Sequence, residues 1–131
     1  MPLGGKMDFQ TAIRTVLKDK YATFSGRAAR SEYWWFALFC FIVSLILNVL
    51  DIMLFGNDSL MSIDLIFSLA VLVPSIAVGV RRLHDLGRSG WWLLIILIPL
   101  IGFLILLYFF VQKGTDGPNE HGPDPLAPIG V

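Results

Sequence analysis

Three long apolar runs dominate the chain, at positions 34–50, 65–80 and 91–111. About 20 helical residues cross a hydrocarbon core of roughly 30 Å, because each residue adds about 1.5 Å. The third run is long enough by itself, and the first two reach that length with the polar residues at their outer ends. Backbone groups in lipid must bond within their own segment, so each run should be helical. The pattern predicts an all-α integral membrane protein with three transmembrane helices, at 33–55, 60–80 and 90–112.

The residues before the first run follow a helical period. Asp8 can cap a helix over 8–21, in which Phe9 and Val16 lie on an apolar face and Lys18 lies on the opposite face. This spacing predicts an amphipathic helix in the cytoplasmic headgroup layer. A soluble helix packed on the loops is the alternative that the pattern leaves open.

Composition supports lipid as the solvent of the apolar runs. Of the 131 residues, 56% are hydrophobic and 15% are charged, whereas a soluble domain has about 25% charged residues. The formal net charge is zero, which gives no reason to expect nucleic acid as a partner. The length suits a single membrane domain over 1–131, which ends in an irregular Gly/Pro-rich tail at 113–131.

The distribution of charge predicts the orientation. Positions 1–33 carry an excess of Lys and Arg, the 81–90 loop carries three arginines, and positions 51–64 carry acidic residues and no basic ones. The positive-inside rule then places the N-terminus and the 81–90 loop in the cytoplasm. Three simple crossings would leave the tail outside.

Polar residues recur at helical spacing inside the first two runs. On antiparallel helices they would form a seam that either conducts protons or a small ion, or joins the two helices through hydrogen bonds. We favour the helix contact, because no ionisable residue falls near the midplane. The seam consists of Ser44, Asn48, Asp51, Asp64, Ser68 and Ser75.

The stretch RRLHDLGRSGWW at 81–92 raises the question of catalysis, because it pairs His84 with Asp85. His-Asp pairs occur in metal phosphohydrolases, but that chemistry needs several more metal ligands, and the only other histidine is His121. The arginines instead suit a basic turn that anchors two apolar segments at the membrane surface. We therefore predict no catalytic residue, no metal and no cofactor.

Five ordered motifs support a family resemblance. They are FSGR at 24–27, RSEYWW at 30–35, RRLHD at 81–85, IPLIG at 98–102 and a Gly/Pro-rich stretch at 114–125. Together they resemble the bacterial membrane-protein family catalogued as domain of unknown function 805. The resemblance implies a small multi-pass protein of the cytoplasmic membrane and brings no activity with it. The motif residues correspond to Arg27, Arg30, Glu32, Arg81, Arg82, His84, Asp85, Asn119 and Asp124.

These motif residues favour a second topology. The acidic tail would complement the basic 81–90 loop, yet three crossings place the two on opposite sides of the membrane. A re-entrant hairpin that turns at 99–102 would return the tail to the cytoplasm, although each arm would then be too short to cross. We predict three spans, with the hairpin as the rival.

Three functions remain in contention. The first is a non-catalytic membrane component that binds a partner protein or anionic lipid through its basic face, to which Arg88 adds a cation. The second is a small channel or transporter that uses the polar seam, and the third is a membrane-surface enzyme built on His84 and Asp85. Membrane lipids are the expected partners, and the sequence leaves open a homo-oligomer or a larger membrane-protein partner.

Overall fold

The computed structural model describes residues 6–57 and 62–126, and these residues form helices joined by turns. The helices are α1 (Phe9–Arg14), α2 (Arg30–Phe55), α3 (Ile63–Asp85) and α4 (Ile101–Val111). A π-helical turn, Thr15–Asp19, continues α1, and a 3₁₀ helix, Gly90–Leu97, precedes α4. The predicted all-α class is confirmed, while positions 60 and 61 of the predicted second span lie outside the described residues.

An antiparallel pair of long helices, α2 and α3, is the framework of the fold. Both are long and apolar enough to cross a membrane. Large apolar side chains along them are exposed, including Phe41 at 62%, Met53 at 75% and Ile66 at 69%. A water-soluble protein rarely exposes an apolar surface of this extent, so the faces of the pair suit contact with lipid.

The N-terminal helix packs against this pair at the end where α2 begins. Asp8 caps α1 by accepting a 2.7 Å hydrogen bond from the Thr11 amide, as the sequence predicts. The ring of Phe9 meets Trp35 edge-on at 5.7 Å, and Val16 is buried in a small core with Phe36 and Val78. The apolar face predicted for 8–21 is therefore used for packing on α2 and α3, while Arg14 and Lys18 remain exposed.

The third apolar run is not one helix, so a third spanning helix over 90–112 is not confirmed. The 3₁₀ helix ends at Leu97, and the chain turns through Ile98, Pro99 and Leu100 before α4 begins. Pro99 has no amide hydrogen to continue a helix, and Leu100 has a left-handed φ of 62°. A Cβ on Gly102 would lie 1.7 Å from the Ile95 carbonyl oxygen, so the turn needs glycine there.

The two halves of the run form an antiparallel hairpin beside α3. Leu83, near the end of α3, packs against Leu106 and Phe110 of α4. The Arg88 guanidinium lies 4.3 Å from the ring centroid of Phe109, near the end of α4, and 5.6 Å from that of Trp92, near the start of the 3₁₀ helix. The chain leaves α4 at the end of the molecule from which it entered the hairpin, so the tail lies beside Arg27 and Asp85. This arrangement is that of the rival topology.

Candidate functional site

Five buried charged side chains meet where α2 begins and α3 ends. We call Arg27, Glu32, Arg81, Arg82 and Asp85 the arginine cluster, and each is at most 5% exposed. They come from the segment before α2, from the first turn of α2 and from the last turn of α3. The sequence singled out all five, and the structure brings them together.

Asp85 joins two of the arginines. Its carboxylate lies 2.9 Å from a guanidinium nitrogen of Arg27 and 2.7 Å from one of Arg82. Arg81 pairs with Glu32, and its Nε also donates to the Thr23 carbonyl at 3.1 Å. Three guanidinium groups face two carboxylates, so the cluster keeps one uncompensated positive charge away from water. Such a charge needs further hydrogen-bond acceptors.

Backbone carbonyls of the C-terminal segment supply those acceptors. Arg27 donates to the carbonyls of Thr115 and Gly117, the second at 2.7 Å. Arg82 donates to the carbonyls of Phe110, at 3.3 Å, and Gln112. These acceptors were not predicted, because a backbone carbonyl leaves no signature of residue type in the sequence.

Further hydrogen bonds attach the tail to the end of α3 and stabilise its turns. The Thr115 amide donates to the Asp85 carbonyl at 2.7 Å, and the Asn119 side-chain amide donates to the His84 carbonyl at 2.9 Å. Asp124 accepts from the amide of Gly117 at 2.9 Å. Asn119 and Asp124, which the resemblance singled out, thus hold the tail in shape.

A glycine allows the tail to approach Asp85 closely. A Cβ on Gly114 would lie 2.0 Å from the Asp85 Oδ2, which would force the carboxylate to move. Sequence reasoning did not single out Gly114. Its position as the first residue of the Gly/Pro-rich motif at 114–125 was the available signal, because a backbone that approaches another group closely commonly needs a residue without a side chain.

His84 and Asp85 lie side by side but do not form an acid–base pair. His84 Nδ1 lies 2.9 Å from the Gly26 carbonyl oxygen, and the ring stacks on that of His121. Both oxygens of Asp85 are taken by arginines. Among residues 6–57 and 62–126, no group of three or more His, Cys, Asp or Glu side chains is placed to hold a metal ion. The hydrogen bonds of His84 and Asp85 therefore connect the end of α3 to the segment before α2.

The two remaining basic candidates lie at the edge of the cluster. Arg30 is exposed, and its guanidinium donates to the Val111 carbonyl at 3.2 Å. Arg88 is half-buried against the aromatic rings of the hairpin. Neither residue is buried, unlike Arg27, Arg81 and Arg82.

The polar seam lies at the opposite end of the α2–α3 pair. Asp51 accepts from the amides of Ile63 and Asp64, at 2.7 and 3.1 Å, and so caps the start of α3. Asp64 in turn accepts from Ser44 at 2.7 Å and from Asn48 at 3.3 Å.

These contacts join the two helices. Ser68 is exposed and Ser75 is half-buried, and both lie further along α3 than the bonded group. Across the two helices, Asn48 therefore bonds to Asp64 and not to Ser68.

Comparison with known proteins identifies relatives along most of the chain. The family model described as "Protein of unknown function (DUF805)" matches residues 21–123. Inner membrane protein YhaI of Escherichia coli K12 is 46% identical over 111 residues, covering 85% of this chain and 92% of its own. Inner membrane protein YhaH of the same strain is 46% identical over 114 residues, covering 84% and 92%. The uncharacterized protein YiiR is 31% identical over 134 residues, covering 78% and 85%. No solved structure matches the chain.

Proposed function

The chain belongs to the DUF805 family of proteins of unknown function, and on that premise we propose that it is a non-catalytic component of the bacterial inner membrane that binds anionic lipid. Two relatives carry the name inner membrane protein, and the α2–α3 pair suits a membrane by length and composition. The proposal assigns the lipid site to the end of the molecule where α2 begins.

The observation that carries the proposal is a division among the basic residues. Arg27, Arg81 and Arg82 are buried and bonded within the protein, and Arg27 and Arg82 bind the C-terminal segment. Other cations at the same end keep charge at the surface. We call Lys6, Arg14, Lys18, Arg30 and Arg88 the basic rim, of which the first four are exposed and Arg88 is half-buried.

The basic rim matches the charge of a cytoplasmic membrane surface. Positions 51–64, at the other end of the pair, contain no Lys or Arg. Anionic headgroups attract basic residues near the membrane by about 1 kcal/mol each. Under the positive-inside rule the rim faces the cytoplasmic leaflet, where it would meet lipid phosphates.

Lipid retention by the purified protein tests the proposal. Wild-type protein in nanodiscs of phosphatidylglycerol and phosphatidylcholine should retain phosphatidylglycerol preferentially, as measured by native mass spectrometry. The Arg14→Gln/Lys18→Gln variant should lower that preference by about fivefold per cation removed. Added salt should weaken it as well, because exposed charges are screened.

Lys113→Gln is the matched control. Lys113 is also exposed, but it is paired with Asp116 at 2.9 Å, so its loss should leave retention close to wild type. Equal retention of the two lipids by the wild-type protein, or no effect of the double substitution, overturns the lipid proposal in favour of a protein partner.

A further inference from the structure

The chain contains two histidines, and the structure stacks one on the other. His84 lies in the last turn of α3 and His121 lies in the tail. Their ring centroids are 3.9 Å apart and their planes differ by 1°. This contact is separate from the basic rim, and neither histidine has a part in the proposed lipid site.

The contacts around the stack can be satisfied with both rings neutral. The Gly26 carbonyl can only accept, so the 2.9 Å contact puts a hydrogen on His84 Nδ1 and leaves its Nε2 bare in the neutral ring. His121 Nε2 is buried without a hydrogen-bond partner among the described residues. A bare ring nitrogen is tolerated there more easily than a charged one.

The surrounding charges do not compensate a doubly protonated stack. Glu120 lies 3.4 Å from His121 Nε2, but its side chain is 76% exposed and therefore well screened. Asp85 is already paired with Arg27 and Arg82, so its charge is not available to the histidines. Arg27 is also the next residue after Gly26, whose carbonyl contacts His84. Two imidazolium rings in contact repel each other, and Arg27 and the neighbouring Arg81 add to the positive charge.

The same residues that touch the stack also hold the tail. An antiparallel bridge between Asn119 and Gly122 closes the turn that carries His121. Asn119 donates to the His84 carbonyl, and the Gly122 carbonyl accepts from Arg27 at 3.3 Å. A displacement of His121 would therefore strain two attachments of the tail at once.

We propose that the His84–His121 stack is a proton-sensitive latch that releases the tail from the arginine cluster in mildly acidic conditions. Histidine is the side chain whose charge changes between about pH 5 and 8. With both rings neutral the tail stays docked, and with both rings protonated their repulsion opposes docking. Because the two ring planes are parallel, their nitrogens do not point toward a common position where both could bind one metal ion. The geometry therefore favours protonation of the rings over shared metal binding.

The distance between the tail and the N-terminal helix provides the test. Nitroxide labels at Asp19→Cys and Leu126→Cys, both exposed positions, report it in the full-length Cys40→Ser protein held in phosphatidylcholine nanodiscs. Double electron–electron resonance should give one narrow distribution at about pH 7.5. The fraction with longer, broader distances should rise about tenfold by about pH 5.

Two substitutions separate the latch from other acid effects. His121→Phe keeps an aromatic ring that cannot be protonated and should hold the tail docked at both pH values, and His121→Gln repeats the test if the larger ring packs poorly. Asp116→Asn should keep the wild-type response, because Asp116 lies in the exposed pair with Lys113 and does not contact the stack. A wild-type distribution that is the same at both pH values, or a response that survives in both His121 variants, overturns the latch.

Discussion

The Arg27 guanidinium and the Asp85 carboxylate lie 2.9 Å apart, and both side chains are almost inaccessible to solvent. The first residue precedes α2 and the second ends α3. Arg82 binds the other oxygen of the same carboxylate at 2.7 Å. Asp85 thus joins two chain segments and also orients the guanidinium groups that hold the tail, so this end of the molecule depends on one side chain.

Replacement of Asp85 by Asn should destabilise the protein strongly. Two guanidinium groups would lose their shared anion while still buried, a change that typically costs about 3–5 kcal/mol. The midpoint of thermal unfolding in detergent, followed by circular dichroism, should fall accordingly.

Asp116→Asn is the control for the Asp85 substitution. Asp116 belongs to an exposed pair with Lys113, in which the side chains are 81% and 61% exposed, and such a pair contributes at most about 1 kcal/mol. If both substitutions lower the midpoint equally, the importance we assign to Asp85 is wrong.

Replacement of Gly114 by Ala should displace the tail. The added methyl group would stand 2.0 Å from the Asp85 Oδ2, so either the carboxylate or the tail has to move. We expect faster cleavage of the tail by a protease than in the wild-type protein.

Gly117→Ala is the matched comparison for Gly114→Ala. Gly117 has open space for a Cβ but a φ of +70°, so alanine there adds only backbone strain of about 1–2 kcal/mol. Faster cleavage in Gly117→Ala than in Gly114→Ala would contradict the close-approach argument.

The sequence predicted the helices whose signals are local. The presence of α2 and α3 follows from apolar length, although α2 begins at Arg30 and α3 continues to Asp85, beyond the predicted spans. The Asp8 cap follows from a side chain three residues before the amide it binds, and the shared helix faces of the polar seam follow from their spacing. Each of these features depends on neighbours along one or two helices, so pattern and spacing contain the necessary information.

Local pattern and spacing could not predict that the third apolar run forms a hairpin, or which groups accept hydrogen bonds from the arginine cluster. The run at 91–111 has the length of a span, and its break depends on the fit of Gly102 to the Ile95 carbonyl across the turn. The arginines were taken for lipid contacts because their actual partners, the backbone carbonyls of residues such as Thr115 and Gly117, exist only once the tail has folded back.

A hydroxyl from the N-terminal segment occupies the gap that a proline leaves in α3. Pro74 has no amide hydrogen, so the Ala70 carbonyl lacks its usual helical donor, and the Tyr21 hydroxyl donates to that carbonyl instead. Tyr21→Phe should lower the free energy of unfolding by about 0.5–1.5 kcal/mol.

A double-mutant cycle tests this relationship. Pro74→Ala restores an amide donor for the Ala70 carbonyl, so Tyr21→Phe should cost less in that background than in the wild type. Unfolding in detergent measures all four proteins. Equal costs in the two backgrounds would mean that the hydroxyl does not replace the missing amide.

Acid should loosen the tail by a second route. The pKa of Asp124 is lowered because its carboxylate accepts hydrogen bonds from the amides of Leu126 and Gly117. A lowered folded-state pKa stabilises the docked tail above the ordinary pKa of aspartate, and this contribution is lost as the pH falls through the lowered value.

Asp124→Asn should therefore weaken docking at neutral pH and remove that part of the acid response. The nitroxide distances between positions 19 and 126 would report both effects, with Asp116→Asn as the exposed control. An Asp124→Asn protein with wild-type docking at neutral pH would contradict this role.

The side of the membrane on which the tail lies is the most consequential expectation. The hairpin brings Thr115 within 2.7 Å of Asp85, so the tail should share the cytoplasmic side that the positive-inside rule assigns to the 81–90 loop. A green fluorescent protein fused after residue 131 should therefore fluoresce in the bacterium, and alkaline phosphatase at that position should be inactive. Alkaline phosphatase fused after Asn57, between α2 and α3, should be active and serves as the control. An active fusion after residue 131 would mean that the run at 91–111 crosses the membrane, which would separate the tail from Arg27 and Arg82.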